Sequence, residues 1–235
     1  MNALTVNGKQ LTVDGVEILG YDDSVDPYNP LNLPANTVRV RTNDGNAPVK
    51  GSQTSYETAT LVVGTTDVYD VYKSGTDFSK LLRGSTNVIE VLGANTTGIT
   101  DMSYMFMSIS RLISVSLFDT SSVTNMRDMF HDCEGLTSVP LFDTSNVTNT
   151  GYMFQGCNSL THIPLFNTSK VTSMLYMFTN CYNVESGALA LYQQASSQTT
   201  PPSSHMYTFR NCGRDTNTGA AELAQIPSSW GGTGA

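Results

Sequence analysis

Apolar residues are spaced in two different ways along this chain. Up to about residue 75 they alternate in short runs: ALTV and QLTV on either side of Asn7-Gly8, then TVRVRT, ATLVV and DVYDVYK. Period two marks strands with one buried face, and Asn-Gly between two such runs predicts a tight hairpin. The stretch YDDSVDPYNPLNLPANT, rich in Pro and Asn, reads as a loop or linker. Beyond residue 76 the alternation gives way to a long repeat. LFDT begins at Leu117 and again at Leu141, and LFNT begins at Leu165, an interval of 24 residues each time.

Superposing the units gives apolar columns: Ile99, Val123, Val147 and Val171; Met105, Met129, Met153 and Met177; Phe106, Phe130, Phe154 and Phe178; Leu117, Leu141 and Leu165. Cys133, Cys157 and Cys181 share one further column, read as a ladder of small buried hydrophobes. Each unit is too short to bury its own apolar face, so stacking is required. The segment L-T-S-V-P-L has the spacing of a leucine-rich-repeat strand, and V-T-x-M-x-x-M-F changes to helical spacing. The fold expected is an α/β repeat, a right-handed parallel leucine-rich-repeat solenoid of 24-residue coils, with a strand and a short helix or 3-10 turn in each. Asp119, Asp143 and Asn167 fall between the two halves, where a short polar side chain caps a helix or closes an Asx turn.

The run LFDTSNVTNTGYMFQGCNSLTHIP resembles the BspA-like leucine-rich-repeat surface proteins, whose units carry D-T-S-x-V-T-x-M-x-x-M-F with a Cys just beyond. The likeness covers about Phe78 to Cys212. It implies adhesion or recognition without catalysis. Three domains are expected: a β-rich N-terminal cap or docking domain at 1–75, the solenoid at 76–212, and a C-terminal cap at 213–235. ALALYQQASSQ and AELAQIPSSW read as helices in the last part, with Trp230 as a cap contact.

Composition narrows the function. Charged residues are only 14% of the chain and the net charge is −8, with Lys and Arg scattered rather than clustered. A nucleic-acid groove needs grouped basic residues. No run is apolar enough to cross a membrane. The start MNALTVNGKQ lacks the form of a secretory signal. These features, with phage-encoded relatives of the repeat, lead to an expected phage virion component, a tail-fibre or head-decoration protein. Its partners would be a bacterial surface glycan or protein and, through the N-terminal domain, other virion proteins, with homo-oligomerisation open. The alternatives are a bacterial cell-surface adhesin and a structural spacer.

No cofactor or metal is implied, because a straight thiol ladder does not converge on one ion. His131-Asp132-Cys133 is contiguous and variable between units, unlike a catalytic set. The expected ligand face comes from strand alternation. With Val139 inward, Phe118, Pro140, Phe142, His162, Pro164 and Phe166 face outward, placing a stripe of Phe rings on a shallow surface.

Overall fold

A computed structural model describes residues 31–51 and 53–234, together with strand residues 5–6, 9–10, 12–13 and 16–17. At the N-terminus β1 (Thr5–Val6) pairs antiparallel with β2 (Lys9–Gln10), and β3 (Thr12–Val13) with β4 (Val16–Glu17). The turn expected at Asn7-Gly8 and most of the loop expected from Tyr21 lie outside the described residues.

The main regular structure is a five-stranded mixed sheet. It contains β5 (Thr37–Thr42), β6 (Thr58–Leu61), β7 (Val68–Tyr72), β8 (Val88–Asn95) and β9 (Ser114–Val115), in the order β6-β7-β5-β8-β9. Only the β8–β9 pairing is parallel. The alternation of TVRVRT explains β5: Val38 and Val40 are fully buried, while Arg39 and Arg41 face outward. Arg39 sits opposite Asp70 and grips it with two hydrogen bonds of 2.6 and 2.8 Å. Arg41 sits opposite Glu90 on the other flank, 2.6 Å away. Cross-strand charge pairs of this kind fix the register. The sheet crosses residue 75, so β8 and the first repeat share one hydrophobic core with β5 and β7.

The expectation of an α/β leucine-rich-repeat solenoid is overturned here. After β9, the described regular elements are two short helices, α1 (Ala188–Ser196) and α2 (Asn217–Leu223), and a 3-10 turn at Ser228–Trp230. The segments of helical spacing are successive turns. Met102, Tyr104, Phe106 and Ser108 donate their N–H groups to the carbonyls of Asn125, Arg127, Met129 and His131 in the next unit, at 2.7–3.0 Å. The residues between them bond locally: Met105 to Met102, Met107 to Tyr104 and Ile109 to Phe106. Every second amide is thus spent on a neighbouring unit, so the i→i−4 ladder of a helix cannot form. The segments expected as strands are irregular apart from β9. Pro140 and Pro164 lack the N–H that a continuous ladder would require.

These turns stack in register. Parallel bridges run from Asp77 to Asp101, Asn125, Asn149, Ser173 and, after a longer interval, Ser204. Each turn has a left-handed third residue. Tyr104, Asp128, Tyr152, Tyr176 and Tyr207 lie at φ 56–61°, and Ser108, Asp132, Gly156, Asn180 and Asn211 at 57–75°. Asn, Asp and Gly tolerate that conformation, whereas a tyrosine is strained in it by roughly 1–2 kcal/mol.

Inside, Phe106, Phe130, Phe154, Phe178 and Phe209 form a stack with centroids 5.2–5.9 Å apart. Met129, Met153 and Met177 are buried beside it. The last layers are closed by α1 and α2. Thr216 caps α2, its Oγ1 accepting from Gly219 N at 3.0 Å, so this helix starts before the AELAQIPSSW segment expected to form it. The first turn of α1 has no side-chain cap of its own. Glu222, from α2, accepts its Leu189 and Gly187 amides at 3.0 and 3.4 Å. Trp230 is buried between His205, stacked at 4.2 Å, and Tyr192, edge-on at 5.4 Å.

Candidate recognition surface

The expected phenylalanine stripe does not exist as a surface. Phe118, Phe142 and Phe166 are 0–2% exposed and pack inward. Phe118 meets Phe142 at 5.1 Å, and Phe142 and Phe166 lean on Phe130 and Phe154 at 6.1 and 5.9 Å. For Phe142 and Phe166 the reason is a three-residue turn that begins at the preceding proline. Phe142 N donates to Pro140 O at 3.0 Å, and Phe166 N to Pro164 O at 2.9 Å. A bond from residue i+2 back to i folds the chain tightly about its middle residue and breaks strict alternation. Pro164 is buried, Pro140 half-buried, and His162 stays outside with its Nδ1 2.9 Å from Ser186 Oγ.

The middle residues of those turns, Leu141 and Leu165, point out instead. With Leu117 in the same column they are 60%, 51% and 37% exposed. Sequence alignment puts these leucines in a core column; the Pro-Leu-Phe context of Leu141 and Leu165 is the signal that they leave it. They line a groove of about 300 Å³ with Asp143, Thr144 and Asn167 on its rim and Phe142 in its floor. A second hollow of about 770 Å³ continues it, sharing Leu165 and Asn167 and bounded by Ser169 and by Gln194, Ser197 and Gln198 at the end of α1. The result is a shallow trough, apolar along its axis and lined with amides and hydroxyls.

The rim is held by Asx turns. Asp119, Asp143 and Asn167 each accept, through Oδ1, the amide of the residue two ahead, at 2.9 Å in all three. Hydrogen bonds from Ser145 hold the Asp143 carboxyl below the usual carboxylate range. The same column ties neighbouring units together: Thr120 and Thr144 donate their hydroxyls to the Asp143 and Asn167 carbonyls at 2.9 and 2.8 Å.

Cys133, Cys157 and Cys181 are fully buried free thiols that donate to the Phe106, Phe130 and Phe154 carbonyls at 3.0–3.1 Å. Burial pushes all three well above the ordinary thiol range, which keeps them from acting as thiolates. His131 lies with its Nδ1 2.6 Å from Asp128 Oδ1 and its Nε2 3.5 Å from Asp132 Oδ2. Among the described residues, no group of three or more His, Cys, Asp or Glu is arranged to hold a metal ion.

No curated protein and no solved structure matches the chain. The comparisons therefore lend nothing to the expected phage or virion origin, which is withdrawn. Residues 76–190, which run from the first stacked turn through β8 and β9 to the start of α1, match the model of a family described as "Mycoplasma protein of unknown function, DUF285".

Proposed function

We propose that this chain is a non-enzymatic recognition protein of a cell surface, and that the leucine trough is its contact face. The observation that carries the reading is the outward Leu117–Leu141–Leu165 column, repeated in three consecutive units along one groove. A contiguous exposed apolar strip with a polar rim is the form of an interaction site.

Full burial of a leucine is worth about 1.5–3 kcal/mol, and these side chains are already partly covered. Each contact is therefore modest. A partner that repeats along the trough, or several copies of the chain on one surface, would supply the rest through avidity. The D-T-S-x-V-T-x-M-x-x-M-F pattern, which resembles BspA-like surface repeats, supports adhesion to a bacterial surface protein or glycan as the finer form of the reading.

The test is retention of the purified chain on a panel of intact bacterial cells and their isolated surface polymers. Leu141→Asp with Leu165→Asp should abolish retention while leaving thermal unfolding unchanged, because both side chains are at least half exposed. Retention that survives both charges would remove the trough from the reading, and no retention on any surface would remove the reading itself.

A further inference from the structure

The left-handed tyrosines form a second surface, which shares no residue with the trough. Tyr152, Tyr176 and Tyr207 follow one another along the layers, Tyr152 stacked on Tyr176 at 5.1 Å and Tyr207 tilted against Tyr176 at 5.2 Å, and all are half-buried. The fold does not demand tyrosine there, since Lys80 and Asp128 occupy the same left-handed position in other units. Four bulky rings, counting Tyr104, are thus kept in a strained conformation where smaller or polar residues serve. Strain retained at a surface points to a use for the side chain.

A guanidinium group lies over the ring of Tyr104, Tyr152 and Tyr207 in turn. Arg83 lies over Tyr104 at 5.4 Å, Arg127 over Tyr152 at 4.7 Å and Arg210 over Tyr207 at 5.2 Å. Arg127 is anchored through Nε, 3.2 Å from Tyr104 Oη and 3.0 Å from the buried Asp128 carboxylate. That leaves its two terminal nitrogens unpaired among the described residues, and the Arg210 guanidinium has no hydrogen-bond partner among them either. The hydroxyls of Tyr152, Tyr176 and Tyr207 likewise bond to no group among the described residues.

Charge is segregated to the same place. Of the Lys and Arg residues between 76 and 212, Lys80, Arg83, Arg127 and Arg210 belong to this surface; only Arg111 and Lys170 lie elsewhere. The acidic residues beside it have cationic neighbours: Asp128 is engaged by Arg127 and His131, Asp132 lies beside His131, and Asp77 interacts with Lys73 and Lys80.

We infer that this ladder binds an acidic polysaccharide, with the guanidinium forks taking carboxylate or sulfate groups and the row of phenol hydroxyls bonding the sugar hydroxyls. An arginine held over an aromatic ring keeps a planar fork of donors that matches the geometry of such anions. One phenol in each of three consecutive layers, with ring centroids 5.1 and 5.2 Å apart, suits a ligand that itself repeats. A single-stranded nucleic acid is the less suitable polyanion. It needs open ring faces on which to stack, and here those faces are covered by neighbouring tyrosines and arginines.

The experiment measures binding of the full chain to heparin (sulfated), polygalacturonate (carboxylated), neutral dextran and a single-stranded DNA oligonucleotide. Retention on one or both acidic glycans is expected, with none on dextran, and added salt should weaken it. The triple variant Tyr152→Phe, Tyr176→Phe, Tyr207→Phe keeps the stacked rings and removes the hydroxyls. At about fivefold per lost hydrogen bond it should weaken binding by tenfold or more. Arg210→Gln, at an exposed position, should weaken binding several-fold without touching the fold. Leu141→Asp should leave it unchanged, which separates this site from the trough. Absence of binding to both acidic glycans would overturn the inference. So would a triple variant and Arg210→Gln that both bind like the parent, or DNA bound as tightly as the glycans.

Discussion

The five-stranded sheet and the stacked turns bury their backbone polarity by opposite means. In the sheet, neighbouring strands differ in sequence, and register comes from specific opposites: Arg39 against Asp70, Arg41 against Glu90. In the stack, like sits on like. Phe lies over Phe, Tyr over Tyr, and the amide of one unit meets the carbonyl of the next. A sheet of distinct strands confines a defect to the pair it touches, whereas a column of identical contacts passes it to the layer on either side. The stack is therefore the part of the molecule where one core side chain matters most.

Phe154→Ala should show this most strongly. The ring is fully buried and stacks on Phe130, Phe178 and Phe166 at 5.5, 5.2 and 5.9 Å. Its removal should cost about 3–5 kcal/mol by urea denaturation. Val40→Ala, equally buried in β5, removes fewer atoms and should cost less. If the two losses are equal, or Phe154→Ala falls near the roughly 1 kcal/mol of an average substitution, the layers are less interdependent than their geometry indicates.

The end of the stack is the next place to press. α1 starts at a glycine with no side chain to cap it, and Glu222 reaches across from α2 to accept its free amides. A carboxylate at a helix N-terminus also meets the positive end of the helix dipole. Glu222→Ala should lose about 0.5–2 kcal/mol, the usual worth of a cap. Glu222→Gln should lose less, since an acceptor remains. Equal losses would show that the charge, rather than the hydrogen bonds, closes the stack.

On the sheet side, a double-mutant cycle on Arg39 and Asp70 should return about 0.2–1 kcal/mol, shrinking as salt is added. The pair is bidentate but about a quarter exposed, so solvent competes for it. A coupling well above that range would make the sheet as dependent on single contacts as the stack.

Sequence alone carried some of this architecture and missed a definite part. The spacing of 24 residues is legible because equivalent positions are buried together, as the methionine and phenylalanine columns are. The alternation in TVRVRT is legible for the same reason: Val goes in and Arg goes out. What could not be read was backbone geometry. V-T-x-M-x-x-M-F has the apolar spacing of a helix, yet a chain of turns presents the same residues inward, and only the destination of each amide separates the two. The recognition surface failed, in two of its three units, at a single bond. The Phe142 to Pro140 and Phe166 to Pro164 turns shift the inward position by one residue, moving leucine from core to surface and phenylalanine the other way. The tyrosine column escaped notice because its aligned positions include Lys80 and Asp128, so it looked freely variable.

The smallest effect tests the rim of the trough. Asp143 and Asn167 occupy the same place in successive units and close the same Asx turn, accepting the Ser145 and Ser169 amides at 2.9 Å. Only Asp143 titrates, and the hydrogen bonds from Ser145 hold it below the usual carboxylate range. A carboxylate whose pKa falls on folding adds stability that is present above its unfolded value and lost as the pH drops through the folded one. Asp143→Asn keeps the turn and removes the titration. The variant should unfold at the parent's midpoint near neutral pH and lose less stability than the parent on acidification below the usual carboxylate range. The effect should be slight, because the carboxylate is largely in solvent. If the variant is instead weakened at neutral pH, the charge itself supports the layer above, and the sequence difference between the two units is structural rather than free.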